Sequence, residues 1–495
     1  MRALQGARTR RDPRLLAVPV VVAIVAVTWI ASAATPKQTR TIVAQSSVLP
    51  IRQTELVCPQ VGGAIAGGAG RIAYADAATS DDNNSILSAE SLGPDSTPQV
   101  IPVQPGHGWT VDGPISPGPF QISVGGSLTD SLGAMQFNRS AVGSALQASA
   151  VQCDGPTTDA WFAGFSSEVG AHATMLLSNV DTVPATVDVS IWGGGNGEPN
   201  AKRGIQVDAQ TQVVVSLDQI EPGLTVGAAH VVATAGRVVP AVRYDAQNGS
   251  LPLGVDWLPR TAAAATTQTV PGILGGLGSR RLIIANPGNI TATLSLTVVT
   301  EDGSFEPTDF AALTVDAGAV TAVDLDPVLQ GSAAAVVVSS SDPVVAAGES
   351  ALPLDSRGAS DFAFTGAVSA LSGPTVIAGG EVGPTRHTQL MLTASGQDDA
   401  NVIVEALPGV SASSPLRSPL TIPAGTTMVF DLGSMTADPA PGVVVTPEPG
   451  GPVYAAWSLQ ETGKDTADVT ELVMQTPQRV RLRPPSHFDP AVGLP

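Results

Sequence analysis

The sequence predicts an all-β chain: tandem immunoglobulin-like β-sandwich modules after a single N-terminal transmembrane helix. Three observations lead there. Apolar and polar residues alternate with period 2 in many short runs, 52 glycines and 41 prolines punctuate those runs, and the pattern recurs about every 107 residues. At 495 residues the chain exceeds one ordinary core and suits three or four domains of roughly 100 to 150 residues.

Taken in order, the first fourteen residues carry five arginines, and Leu15 to Ala34 follows without a charge. Twenty apolar residues span a bilayer as a helix, and the basic flank stays on the cytoplasmic side. We therefore expect a cytoplasmic tail at 1–14, a retained anchor at 15–34 and an extracytoplasmic remainder. The rival is a cleaved signal peptide ending at Ala31-Ser32-Ala33, whose apolar core would be unusually long. A stalk at 35–55 comes next, and residues 481–495 read as a disordered tail.

The repeat is visible in residues 161–480. Ser178-Asn179 follows Leu176-Leu177, and Asn286-Pro287 follows Ile283-Ile284 with an offset of 286 − 179 = 107. Val207-Asp208-Ala209 matches Val315-Asp316-Ala317, and Asp324-Leu325 matches Asp431-Leu432. Val187, Val189 and Ile191 alternate with Thr186, Asp188 and Ser190, as Leu294, Leu296 and Val298 do with Ser295 and Thr297, and Val402 and Val404 with Ile403 and Glu405. We expect Val189, Leu296 and Val404 to be buried and Ser190, Thr297 and Glu405 exposed. Each copy closes on a Val-rich run, a polar turn and a second apolar run, beginning at Val231, Val336 and Val443. About seven strands per period match an immunoglobulin-like sandwich in size. The modules fall at 161–269, 270–374 and 375–480, and a divergent fourth at 56–160 holds both cysteines.

Cys58 and Cys153 lie beyond the apolar segment, so an exported chain invites a disulfide between them. Two buried thiols or a metal site are the alternatives, the latter poor without a histidine pattern. The segment Leu56-Val57-Cys58-Pro59, the later Cys153 and strand-turn units such as Leu282 to Pro287 carry a resemblance. The layout resembles a family of uncharacterised, membrane-anchored extracytoplasmic repeat β proteins from actinobacteria. That resemblance implies location and fold, and no active-site residue.

Composition and motifs narrow function. Without residues 1–34 the chain holds 19 basic and 42 acidic residues, a net charge near −23 that repels nucleic acid. His107, His172, His230, His387 and His487 form no HExxH pattern, and neither G-x-S-x-G nor S-x-x-K occurs. The glycines from Gly272 to Gly278 lack a phosphate-loop Lys-Ser/Thr. Asp81-Asp82 and Asp398-Asp399 lack calcium-loop spacing, and Trp109, Trp161, Trp192, Trp257 and Trp457 are spread over the modules. We expect no catalytic, cofactor or metal residues. The expected function is a non-catalytic scaffold or binding protein of the cell envelope, anchored in the membrane and meeting an envelope protein or glycan. The alternative is an envelope enzyme acting on glycans with carboxylates from distant loops.

Overall fold

The structure is a computed structural model, and it describes residues 47–61, 70–77, 85–112, 118–142, 145–193, 197–310, 313–409, 415–436, 441–462, 467–476 and 480–483. The expected helix at Leu15–Ala34 and the acidic loop at Asp81-Asp82 lie outside these residues. Among the described residues no helix is long and apolar enough to cross a membrane. The chain divides into two units, one comprising Met1–Pro50 with Val480–Pro495 and the other Ile51–Arg479.

In the first unit Ser47–Pro50 and Val480–Arg483 pair as a two-stranded antiparallel sheet. The pair draws on the stretches expected as a stalk at 35–55 and a tail at 481–495. Two extended segments far apart in sequence satisfy each other's backbone groups, a pairing no local pattern announces.

The second unit consists of small antiparallel sheets. Residues 159–258 show the plan. The first strand, Asp159–Phe165, pairs with the sixth, Gly227–Ala235, which pairs with the third, Ala185–Trp192, and that with the fourth, Asn200–Val207. The fifth, Thr211–Ser216, pairs with the second, Ala171–Asn179, followed by the seventh, Val239–Asn248, and the eighth, Leu251–Leu258. Phe162, Val187, Val189 and Val231 from one sheet share a core with Met175, Leu177, Val215 and Val242 from the other. The same order, 1-6-3-4 against 5-2-7-8, recurs in residues 53–152, 265–366 and 375–473.

Two corrections follow. There are eight strands per set where about seven were expected. The order departs from the immunoglobulin ABED/CFG arrangement because the first strand lies on the sixth and the seventh on the second. Residues 53–152, where a divergent fourth module was expected, repeat the strand order of the others. The Val-rich closing runs from Val231 and Val443 each hold two strands about a turn. Sixth and seventh strands belong to opposite sheets, and in the third set they are one continuous strand, Ala334–Ala351, that passes from sheet to sheet.

Burial follows the period-2 pattern. Val189, Leu296 and Val404 are buried. Their neighbours Ser190, Thr297 and Glu405 are half-buried where exposure was expected, in Glu405 because the side chain pairs with Arg417 at 3.0 Å.

The cores are shared between sets. Phe362 and Phe364, from the eighth strand of the third set, pack into the core of the second beside Tyr244. Ala73, Ala75 and Met135 of the first join the core of the fourth. Each set packs on the next and the fourth on the first, so the four sandwiches close a ring. Their eighth strands, Ala145–Gln152, Leu251–Leu258, Phe362–Gly366 and Ala467–Val473, meet in its centre.

Candidate functional site

The ring centre is the most unusual chemical environment in this unit. The backbone N–H groups of Ala148, Val255 and Val469 all donate to the carboxylate of Asp361, at 3.0, 3.3 and 3.1 Å. Their numbers differ by the repeat offset, 255 − 148 = 107 and 469 − 255 = 2 × 107. One acid from the third sandwich thus bonds the same backbone position in each of the other three.

A second layer lies two residues on. Ala150 N–H donates to Thr470 Oγ1 at 2.8 Å, and Thr470 Oγ1 donates to Asp256 Oδ1 at 3.0 Å. Asp468, the repeat counterpart of Asp361, turns instead to Arg139. That guanidinium reaches Asp468 at 2.9 Å, Glu381 at 2.7 Å and Glu461 at 3.2 Å, tying the first sandwich to the fourth. Glu471 is 1 % exposed, and among the described residues neither carboxyl oxygen has a hydrogen-bond partner. It fits because Gly272, at φ 85°, has no Cβ to collide with Oε1.

Burial pushes the Asp256, Asp361 and Glu471 carboxyls well above their ordinary range. Amide donors pull Asp256 and Asp361 back, and repulsion from Asp256 adds to the rise at Asp361 and Glu471. Burial of this kind favours the neutral carboxyl, which packs in the centre at a lower desolvation cost than a carboxylate. Asp256, Asp468 and Glu471 lie on eighth strands, Asp361 lies just before one, and all four are enclosed, whereas the alternative enzyme reading needs an open pair on distant loops. A sequence signal existed: Asp361 and Asp468 interrupt apolar surroundings 107 residues apart.

The other candidate residues are dispersed. His107 contacts the Pro105 carbonyl, His172 lies near Asp218, His387 lies near Asp431, and His487 is outside the described residues. His230 bonds Asp159 at 2.8 Å and stacks on Trp161 with ring centroids 3.9 Å apart. Trp161 and Trp192 fill the packing between the second and third sandwiches beside Ile283 and Val345. Trp109 stacks on Tyr74, and Trp457 is a core residue of the fourth. Among the described residues no group of three or more His, Cys, Asp or Glu side chains is placed to hold a metal. Cys58 and Cys153 are joined by a disulfide, with Cα atoms 4.3 Å apart.

A model for a family of unknown function, DUF5719, matches residues 122–433, more than half of the chain. The chain belongs to this family. The DUF5719 match begins in the sixth strand of the first sandwich, Gly118–Gly125, and ends just past the fifth strand of the fourth, Thr426–Asp431. It contains Asp256 and Asp361 but stops short of Asp468 and Glu471. No curated protein matches the chain.

The DUF5719 chain also has an open cleft of about 300 Å³ between the third and fourth sandwiches. Leu274, Leu277, Arg280 and Ser350 line one side, and Gln389, Met391, Val429, Ser458 and Gln460 the other. Arg280, 4 % exposed, is spent inside the wall: its guanidinium donates to the carbonyls of Leu274, Gly276 and Leu277 and faces Asp326 at 3.7 Å.

Proposed function

We propose that this protein is a non-catalytic extracytoplasmic scaffold or binding protein of the cell envelope, held by a single-pass N-terminal anchor with its bulk outside. One observation carries the reading: four sandwiches of one strand order lock together on buried acids, which commits the gathered carboxylates to structure and leaves the rims for contacts. The disulfide suits an oxidising compartment, and the acidic composition disfavours nucleic acid as partner. The repeat modules expected from sequence, with boundaries at 56–160, 161–269, 270–374 and 375–480, are in this reading successive copies of one ancestral sandwich.

The test is cross-linking of the full chain in intact cells, followed by assay of the purified chain on cell-wall glycans and esters. A reproducibly captured envelope component and no turnover are expected. Turnover abolished by one Asp, Glu or Ser substitution that leaves the fold intact would overturn the proposal. Protease shaving of whole cells checks the location, with digestion of the Ile51–Arg479 unit from outside as the expected result.

A further inference from the structure

We propose that the cleft between the third and fourth sandwiches binds a neutral, hydroxyl-rich ligand about the size of one or two sugar rings, held by Gln389, Ser458 and Gln460. The inference rests on the binding-protein reading and deepens it by naming a ligand class. A pre-formed cleft near 300 Å³ lies at the lower end of the range typical for small-molecule sites.

Its floor is the outer face of one sheet of the fourth sandwich. Gln389 sits directly opposite Ser458 across the strand pair Arg386–Ala394 and Tyr454–Thr462, and Gln460 follows two residues on. The side chains of these three residues make no hydrogen bond to another described residue. In the same sandwich Thr393 bonds Thr427 at 2.9 Å, and Thr388 bonds the Glu381 carbonyl at 2.9 Å. Two carboxamides and a hydroxyl therefore converge with donors and acceptors unspent.

The charges nearby select against ions. Arg280 would favour an anion, but its Nε and Nη2 serve three carbonyls and its Nη1 faces Asp326 at 3.7 Å. Glu471, the cross-strand partner of Ser458, would favour a cation, but it is buried behind the cleft floor and does not line the cleft. What remains suits hydroxyl groups, which both donate and accept. Leu274, Leu277, Met391 and Val429 offer aliphatic surface for the C–H face of a ring. Among the described residues no aromatic side chain lines the cleft, so the affinity belongs in the millimolar range rather than the micromolar.

Saturation-transfer NMR on the purified full chain tests this with glucose, mannose, N-acetylglucosamine and their methyl glycosides as probes. At least one probe should saturate, and Q389A and Q460A should each weaken it by about tenfold, the loss of one or two hydrogen bonds, without moving the melting temperature. Equal binding of a methyl glycoside points to a unit within a glycan chain, and preference for the reducing sugar points to a free sugar; either supports the cleft. Saturation by none of the six probes, or affinity unchanged in both variants, overturns it. A chain that ignores all six yet captures an envelope protein loses the cleft and keeps the scaffold. A chain that binds a probe and also hydrolyses a glycan keeps the cleft and loses the non-catalytic reading.

Discussion

Buried polar side chains do two different jobs in this protein. Asn286, wholly buried, donates to the carbonyls of Ile290 and Val315 and accepts from Gly288 N–H, so one amide closes the turn after the second strand. Asn179 does the same 107 residues earlier with Val183, Val207 and Asp181. Replacing Asn286 by Ala strands two carbonyls and should cost about 2–4 kcal/mol in urea unfolding. Asp256 and Glu471 behave differently, because burial raises their pKa in the folded state. Protonation is then tighter in the fold than in the unfolded chain, so their contribution is full below about pH 4 and is lost as pH rises towards the raised values. Asp361 and Asp468 titrate in the same centre and share this sign, Arg139 with Glu381 and Glu461 flanks it, and Asp181, held down by Arg237, has the opposite sign. Thermal melts from pH 5 to pH 8 should show D256N and E471Q gaining on the unsubstituted chain as pH rises. A difference independent of pH would contradict the assignment.

Strands explain why the sandwiches cannot be read as separable beads. The Cys58–Cys153 disulfide joins the first strand of its sandwich to the residue following the eighth, closing a separation of 95 residues. Val57 and Asp154 also exchange backbone hydrogen bonds beside it. Substituting both cysteines by Ala should cost about 2–4 kcal/mol, below the loop-entropy ceiling because the neighbouring bonds remain. Denaturant titration of the full chain measures it, and an unchanged midpoint would assign the bridge no role in stability. The continuous strand Ala334–Ala351 shows the same economy by another route, since one rigid segment serves both sheets and brings Pro343 to the crossing, where ladder bonding changes partner.

Across the Ile51–Arg479 unit, closure depends on a few central groups. Arg139 neutralises Asp468, Glu381 and Glu461 where the fourth sandwich meets the first. Arg139→Met removes the cation and leaves three partly or wholly buried carboxylates together, a change worth about 3–5 kcal/mol when a buried pair is broken. Circular dichroism melts should show one lowered transition for the whole unit, because the cores are shared. A separate early transition for the first sandwich alone would mean the ring is not cooperative.

Much of this was legible in the sequence because β structure writes its burial with period 2. The alternation in Thr186–Ile191, Ala292–Val298 and Val402–Glu405 specifies strands with one dry face, and the 107-residue offset specifies that the unit recurs. Two cysteines beyond an apolar segment suggested the bridge. Strand order, the eighth strand and ring closure were not legible, since antiparallel pairing is a long-range choice: nothing near Ala148 says that its N–H will meet Asp361, 213 residues away. The acids at the centre look in sequence like charges in loops or strand ends, and burial by the surrounding sandwiches is what raises their pKa. Local periodicity determined which residues turn inward; only the tertiary structure decided which strands share a sheet and which acids lose water, because both depend on surfaces contributed from distant parts of the chain.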